Sequence, residues 1–361
     1  MNWLATLLFF NVISLTNAGR IFDNGKPEKS QDATVTGVRI PKRINEIKIM
    51  PGHKKREDYI LPLPSSYIQM NTLPTDFTWA NISGRSYLTY MYNQHIPQYC
   101  GSCWLHGGMS TFQDRIKIAR KGMGADIIPS RQFVLNCGND VAGSCHGGSA
   151  TGLYEFIKQV GYIPYESCLS YEACSAESEE GNCPYGDFQC KPINICRTCD
   201  TYKAQNGTCR AIETFPNVTV AEYGMLSGED NMMAEIFARG PIVCPIDAVP
   251  MDAYNGGIIM EDSDRETDHL VEIIGWGYDE VAKTKFWHVR NSWGEYWGEM
   301  GFFRIKRGEN TLKIEVECAW VTPGKWSSTN YPCWESGENC EKVENFVDPS
   351  SKLKPTGALL E

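Results

Sequence analysis

Residues 94–104 of this 361-residue chain read QHIPQYCGSCW, and the rest of the sequence is organised around them. Cys100 and Cys103 lie three positions apart, where a proline-containing loop gives way to apolar residues at helical spacing. A helix that begins at Ser102 or Cys103 places Cys103 at its N-terminus, where free N–H groups and the helix dipole favour thiolate over thiol. The stretch therefore predicts a nucleophilic cysteine at the start of a helix.

Two cysteines at this spacing have three other interpretations: a redox pair, half of a zinc site, or structural disulfide cysteines. The structural interpretation is the commonest for cysteine in general. Residues further along favour a nucleophile instead. His269 stands alone before an apolar run, and Asn291-Ser292-Trp293-Gly294 ends a later predicted strand.

A catalytic thiol needs a base, a group that orients the base, and hydrogen-bond donors for the oxyanion. His269 supplies an imidazole, and Asn291 carries an amide that can hold one imidazole nitrogen while Trp293 shields that bond from water. Gln94 can donate its amide N–H to an oxyanion beside the backbone N–H of Cys103. These four residues are the candidate catalytic group. The sequence calls for no cofactor and no metal.

The N-terminus and the cysteine count indicate the compartment. The apolar run Leu4 to Leu15, followed by Thr16-Asn17-Ala18, predicts a signal peptide over residues 1–18. Fifteen cysteines in a secreted chain predict disulfides and one free thiol. We expect a monomer of the secretory pathway, lysosomal or extracellular, without a membrane span or nucleic-acid partner. Three N-glycosylation motifs begin at Asn81, Asn206 and Asn217.

Residues 19–72 differ from the rest of the chain. They are polar and contain no cysteine, and residues 19–71 carry ten basic against six acidic side chains, whereas the whole chain has a net charge of −10. The basic cluster Lys54-Lys55-Arg56 could bind nucleic acid, although a solvated linker is the commoner explanation. The positive charge of this segment and the negative charge of the rest of the chain favour a short propeptide. It would lie on the acidic remainder of the protein as its inhibitor and be removed later.

The remaining chain has two halves. A helical, disulfide-rich half extends to about residue 210, with Ser130 as the predicted N-cap of a second helix. A β-rich half follows to about residue 326, and residues 327–361 form a tail with Cys333 and Cys340. The strands predicted in the second half are Phe215 to Ala221, Gly240 to Ile246, His269 to Trp276, Lys285 to Trp293 and Gly301 to Lys306.

Residues 73–326 resemble the papain-like cysteine peptidases, on the strength of Cys-Gly-Ser-Cys-Trp at 100–104 and Asn-Ser-Trp-Gly-Glu-Tyr-Trp-Gly at 291–298. The resemblance implies an α+β, two-lobed fold, with a helical lobe at about 73–210, a β-barrel-like lobe at about 211–326 and the active-site cleft between them. It implies that Cys103 is the nucleophile, His269 the general base and then acid, Asn291 the orienting residue and Gln94 the oxyanion donor. Gly147 and Gly148 match the glycine pair that binds substrate backbone.

The loop His95-Ile96-Pro97-Gln98-Tyr99 departs from most of that family. Gln94 precedes Cys103 by nine residues rather than six, and one carboxymonopeptidase subgroup shares this three-residue insertion. The resemblance implies that His95 meets the terminal carboxylate of the substrate, and we assign Tyr99 and Trp293 to substrate binding with it. The alternatives are a papain-like endopeptidase and a non-catalytic secreted protein that binds matrix or cells.

The resemblance also implies a disulfide pattern around a free Cys103. Five pairs follow from it, and elimination adds Cys174–Cys183 and Cys333–Cys340. The five are Cys100–Cys145, Cys137–Cys190, Cys168–Cys196, Cys199–Cys209 and Cys244–Cys318.

Overall fold

The computed structural model describes residues 44–53, 60–200, 207–328, 334 and 335. The predicted signal peptide, the basic cluster at 54–56, Asn206, Cys333 and Cys340 lie outside the described residues. No helix in the described part is long and apolar enough to cross a membrane.

The helix α1 begins at Cys103, as the sequence predicts, and ends at Ala119. Its apolar face is fully buried, including Trp104, Met109 and Phe112. In α2 the Ser130 hydroxyl accepts the N–H of Phe133 at 3.2 Å, which confirms the predicted N-cap. The α-helices within the described ranges are α1 (Cys103–Ala119), α2 (Arg131–Cys137), α3 (Ala150–Val160) and α4 (Glu229–Arg239). Short 3-10 helices cover Pro64–Ser66, Met70–Thr72, Glu166–Cys168, Cys183–Tyr185, Pro192–Asn194, Val249–Ala253 and Thr311–Lys313.

Strands in the described residues form one large sheet and two small hairpins. The strands are β1 (Phe77–Thr78), β2 (Gly143–Ser144), β3 (Gly147–Gly148), β4 (Ile163–Pro164), β5 (Arg197–Asp200), β6 (Thr208–Ala211), β7 (Asn217–Leu226), β8 (Ile242–Ile246), β9 (Ile258–Ile259), β10 (His269–Asp279), β11 (Thr284–Arg290), β12 (Phe302–Lys306) and β13 (Cys318–Trp326). The nine-stranded sheet runs β4-β7-β13-β8-β10-β11-β12-β9, and β1 also pairs with β10. The five predicted strands are confirmed with shifted ends, and β13 was not predicted.

Two hydrophobic cores underlie the two halves of the chain. One is built on α1, α2 and α3 around Trp104 and Phe133, and the other on the sheet around Trp287 and Trp320. The halves are not strictly separate, because α4 lies in the β-rich half and β4 extends the sheet from the helical half. The α+β class is nevertheless the one predicted, with α1 packed against β10 and β13.

A buried ionic cluster joins α1 to the sheet. Arg290 of β11 donates to Asp114 of α1 and, through Nε at 2.6 Å, to Glu272 of β10. All three side chains are almost fully buried. Burial raises the pKa of Glu272 to about 8, so the single Arg290 cation is shared between two acids of which Glu272 is the more readily protonated. Through Arg290 the cluster links α1 to β10, which begins at His269, and to β11, which ends just before Asn291.

Six disulfides cross-link the described residues. They are Cys100–Cys145, Cys137–Cys190, Cys168–Cys196, Cys174–Cys183, Cys199–Cys209 and Cys244–Cys318. These pairs coincide with six of the seven expected ones, and both cysteines of the seventh lie outside the described residues. Cys103 is the free cysteine of the described part.

Candidate active site

Cys103 is the first residue of α1 and has no exposed surface. Its Sγ accepts the backbone N–H of Leu270 at 3.3 Å, which ties the thiol to the start of β10. Burial, and after it the negative charge of Glu46, raise the pKa of the Cys103 thiol well above its ordinary value. In this state of the molecule the thiolate expected from the sequence is thus disfavoured, first by burial and then by the acidic residue beside the sulfur.

His269 and Asn291 meet at the edge of the sheet. The Nε2 atom of His269 is 2.8 Å from Oδ1 of Asn291, and the backbone N–H of Ser292 donates to the same Oδ1 at 2.8 Å. Oδ1 is thus an acceptor, so Nε2 carries a proton that it donates to Asn291. The other ring nitrogen, Nδ1, lies 3.7 Å from Oε2 of Glu46. The ring of Trp293 lies over the imidazole, with 5.0 Å between the ring centroids, and covers the hydrogen bond.

Gln94 is buried and held in a single orientation. Its Oε1 accepts the hydroxyl of Ser292 at 2.7 Å, and its backbone N–H donates to the carbonyl of Ser292 at 2.8 Å. The amide nitrogen therefore points the other way and donates to the carbonyl of Cys100 at 3.1 Å and to Oε2 of Glu46 at 2.8 Å. The Gln94 amide is thus oriented before any substrate binds, which is what a donor to an oxyanion requires.

The glycine pair Gly147–Gly148 forms β3, and both residues are buried in this structure. Gly147 has φ +110°, which favours glycine, and a Cβ on Gly148 would lie 2.4 Å from the carbonyl of Ala142. In this structure the pair binds residues of the predicted propeptide. Gly148 donates to the carbonyl of Glu46 at 3.1 Å and accepts the N–H of Lys48 at 2.9 Å.

The inserted loop is fixed at both ends. His95 stacks on Tyr99 at 4.9 Å and lies 6.5 Å from the ring of Trp293. Gln98 donates to Sγ of Cys183 at 2.8 Å and accepts the N–H of Asn182 at 2.8 Å, so the far side of the loop is held by the Cys174–Cys183 disulfide loop. The His95 ring is thus placed beside the ring that covers His269.

Sequence reasoning missed Glu46 and the role of Ser292. A ring nitrogen of His269, Sγ of Cys103 and a carboxylate oxygen of Glu46 lie within 4.8 Å of one another, a donor set that a metal ion could use. The carboxylate already accepts hydrogen bonds from Gln94 and from Tyr99, at 2.7 Å for the latter, so it is satisfied by protein donors. The one available signal was its isolation, since Glu46 is the only acid between Asp32 and Glu57 in a basic segment.

The described glycosylation motifs differ in exposure. Asn81 is exposed, and its Oδ1 accepts the N–H of Gly84 at 2.8 Å. Asn217 is half-buried and donates to the carbonyl of Phe215 at 3.2 Å. Asn81 is therefore the more accessible of the two.

Comparisons with known proteins agree with this geometry. A cathepsin Z of Onchocerca volvulus is 39% identical over 259 residues, which are 70% of this chain and 78% of that protein. A procathepsin L2 proteinase from the larval midgut of Tenebrio molitor is similar in structure, with a TM-score of 0.57, 24% identity and 78% of each chain covered. A bromelain of Ananas comosus, solved with the E64 inhibitor, has a TM-score of 0.51 at 24% identity, over 69% of this chain and 99% of that one.

The inserted loop makes the sequence similar to the cathepsin X group, also called cathepsin Z, and the first of these relatives bears out that similarity. The sequence model of the family described as "Papain family cysteine protease" matches residues 73–322, which are more than half of the chain. With Cys103, His269, Asn291 and Gln94 assembled at one site, the chain belongs to the papain family of cysteine proteases.

Proposed function

We propose that this cysteine peptidase is a carboxymonopeptidase, which removes single residues from the C-termini of peptides. The observation that carries the proposal is the position of the inserted loop: its His95 ring stacks on Tyr99 and lies 6.5 Å from the ring of Trp293, which covers His269. The similarity to a cathepsin Z supports it. Tyr99 already donates to a carboxylate in this structure, so the loop has the chemistry that a free C-terminus needs.

In the proposed reaction, His269 takes the proton of Cys103 once the Glu46 carboxylate has left, and the thiolate attacks the carbonyl of the last peptide bond. The oxyanion is stabilised by the Gln94 amide and the Cys103 N–H. His269 then gives its proton to the leaving amino acid, and a thioester forms. His269 activates a water molecule that hydrolyses the thioester, while Asn291 holds the imidazole throughout.

His95 would bind the terminal carboxylate as a protonated imidazole, because a charge-assisted hydrogen bond is stronger than a neutral one. A tethered loop reduces the entropy that is lost when substrate binds. An endopeptidase, by contrast, must let the substrate chain continue past the catalytic residues on the side where this loop lies.

Replacing His95 tests the proposal. His95→Ala in the mature enzyme should lower kcat/KM for a peptide with a free C-terminus by about ten- to a hundred-fold, because a hydrogen bond to a charged group is lost. The amide of the same peptide should be cleaved equally slowly by both enzymes. Ile96→Ala is the matched control, since it alters an exposed side chain of the same loop and leaves the imidazole in place. An unchanged ratio between free and amidated peptide would contradict the proposal.

We also place the protein in the secretory pathway as a monomeric zymogen, lysosomal or extracellular, with residues 1–18 as signal peptide and 19–72 as propeptide. Six disulfides support an oxidising compartment. The similar fold of a procathepsin supports a propeptide. Asn81, Asn206 and Asn217 are the proposed glycan sites. Peptide mapping of the secreted protein tests the cleavage sites and the glycans together.

A further inference from the structure

We propose that Glu46 is an internal, non-covalent inhibitor of Cys103: its carboxylate occupies the catalytic site of the zymogen and is held there by Gln94, Tyr99 and His269. The inference rests on the proposed function, because it treats residues 44–53 as part of a removable segment. It deepens that function by naming the group that keeps the peptidase inactive. The proposed propeptide has no cysteine that could bond to Cys103, and the Glu46 carboxylate takes that inhibitory role.

The carboxylate lies among the groups that would carry out the reaction. Oε2 accepts the amide of Gln94 at 2.8 Å and is 3.7 Å from Nδ1 of His269. Oε1 accepts the hydroxyl of Tyr99 at 2.7 Å. Only 2% of the Glu46 surface is exposed, so this is a buried anion with a complete set of partners rather than a surface acid that lies nearby.

The backbone around Glu46 is bound on both sides of the site. The N–H of Glu46 donates to the carbonyl of Asp268, which precedes β10, and its carbonyl accepts the N–H of Gly148 of β3. Further along, His53 bonds to Thr151 of α3 at 2.8 Å and also to Glu155. These contacts hold the segment across the site from the sheet to the helical half.

Three chemical consequences follow for the enzyme. A carboxylate is a poor electrophile, so Cys103 has no reactive carbonyl to attack. The Gln94 amide is already used and cannot stabilise an oxyanion. The negative charge of Glu46 disfavours a second negative charge on the sulfur 4.8 Å or less away, so the thiol stays protonated.

Acid alone should not release this contact. Burial by itself raises the pKa of Glu46, but His269, and then Tyr99 and Gln94, favour the charged form and lower the pKa to about 2. The groups that face the carboxylate are the His269 imidazole on β10, the Gln94 amide, the Tyr99 hydroxyl and the Cys103 thiol on α1. Removal of the segment by proteolysis is therefore the expected route of activation.

The test measures how fast Cys103 reacts with iodoacetamide in the uncut full-length zymogen at neutral pH, by intact mass. Glu46→Ala should speed labelling by about ten- to a hundred-fold, because the charge and its hydrogen bonds are lost. Glu46→Gln should give an intermediate increase, since the amide keeps the shape and loses the charge. Lys48→Ala is the matched control: it changes an exposed neighbour and should leave the rate unchanged.

Equal labelling rates in wild type and both Glu46 variants would overturn the proposal. An increase on adding a chelator to the wild type would also overturn it, because it would assign the inhibition to a metal ion on Glu46, Cys103 and His269. The thermal midpoint of each variant shows whether it is folded, and the mature enzymes, which lack residue 46, should all be labelled at one rate. Labelling does not depend on which peptide bond is cut, so the result is independent of the carboxymonopeptidase proposal.

Discussion

The hydroxyl of Ser292 donates to Oε1 of Gln94 at 2.7 Å, and the two residues also share a backbone hydrogen bond. Ser292 is at the same time the neighbour of Asn291, whose Oδ1 accepts the Ser292 N–H. One residue thus aligns both the proposed oxyanion donor and the amide that holds the imidazole of His269.

Ser292→Ala should lower kcat/KM of the mature enzyme by about two- to ten-fold, because a neutral hydrogen bond that orients the Gln94 amide is lost. The control is a double-mutant cycle with Gln94→Ala, in which the serine substitution should have little further effect. Additive losses from the two substitutions would show that Ser292 acts through something other than Gln94.

Gln98→Ala should loosen the inserted loop, because this side chain joins the loop to Cys183 and Asn182. We expect the preference for free over amidated peptides to fall by about two- to ten-fold, in line with the loss of neutral hydrogen bonds. Gln189→Ala is a matched control, since Gln189 bonds to Ala176 of the same disulfide-rich region and makes no bond to the inserted loop. If both substitutions lowered the preference for free peptides equally, Gln98 would not be the residue that anchors the inserted loop.

Replacing Cys100 and Cys145 together with alanine should reduce stability by about 2–5 kcal/mol, as for other native disulfides in small secreted domains. Activity should fall as well, because the Cys100 carbonyl accepts the Gln94 amide and the Cys145 carbonyl accepts the Gly101 N–H at 2.8 Å. The Cys199–Cys209 pair, in the β5–β6 hairpin, is the control. Its removal should lower the melting temperature and leave the labelling rate of Cys103 in the mature enzyme unchanged. A loss of labelling in this control would contradict the view that the Cys100–Cys145 disulfide affects activity through its position beside Gln94.

The zymogen should stay closed in moderate acid. The pKa of docked Glu46 is lowered to about 2, so its contribution to docking is present above the usual carboxylate pKa and is lost only as pH falls towards that lower value. Hydrogen bonds from Gln94 and Tyr99 therefore hold the segment in addition to the charge attraction expected from the sequence. Hydrogen exchange of the Lys48 and Glu46 amides in a Cys103→Ala zymogen, between about pH 7 and about pH 4, checks the prediction. Loss of protection within that range would contradict it.

The sequence predicts those parts of the site whose positions follow from the residues next to them in the chain. Cys103 at a helix start, His269 at a strand start and Asn291 after a strand each follow from their neighbours, and the family strings give their roles as a resemblance. The strands around Val243, Ile273 and Phe303 follow from dense apolar runs that are buried on the sheet.

Other features lack such a pattern. β13 was missed because Pro323 and Gly324 interrupt it, and its pairing with β7 shifts register at that point. Glu46 was missed because its partners Gln94 and His269 are far along the chain, and one acid in a basic segment has no preference for a buried site. Its position depends on tertiary contacts, which a single sequence does not display.

The central claim, that the mature enzyme removes one residue at a time from a free C-terminus, is tested most directly by the masses of its early products. A peptide with a free C-terminus should give a ladder of single-residue losses from that end. The same peptide with an amidated C-terminus should remain largely intact, and Cys103→Ala should cleave neither. Internal fragments from the free peptide, or equal cleavage of the free and amidated forms by the unmutated enzyme, would contradict the claim.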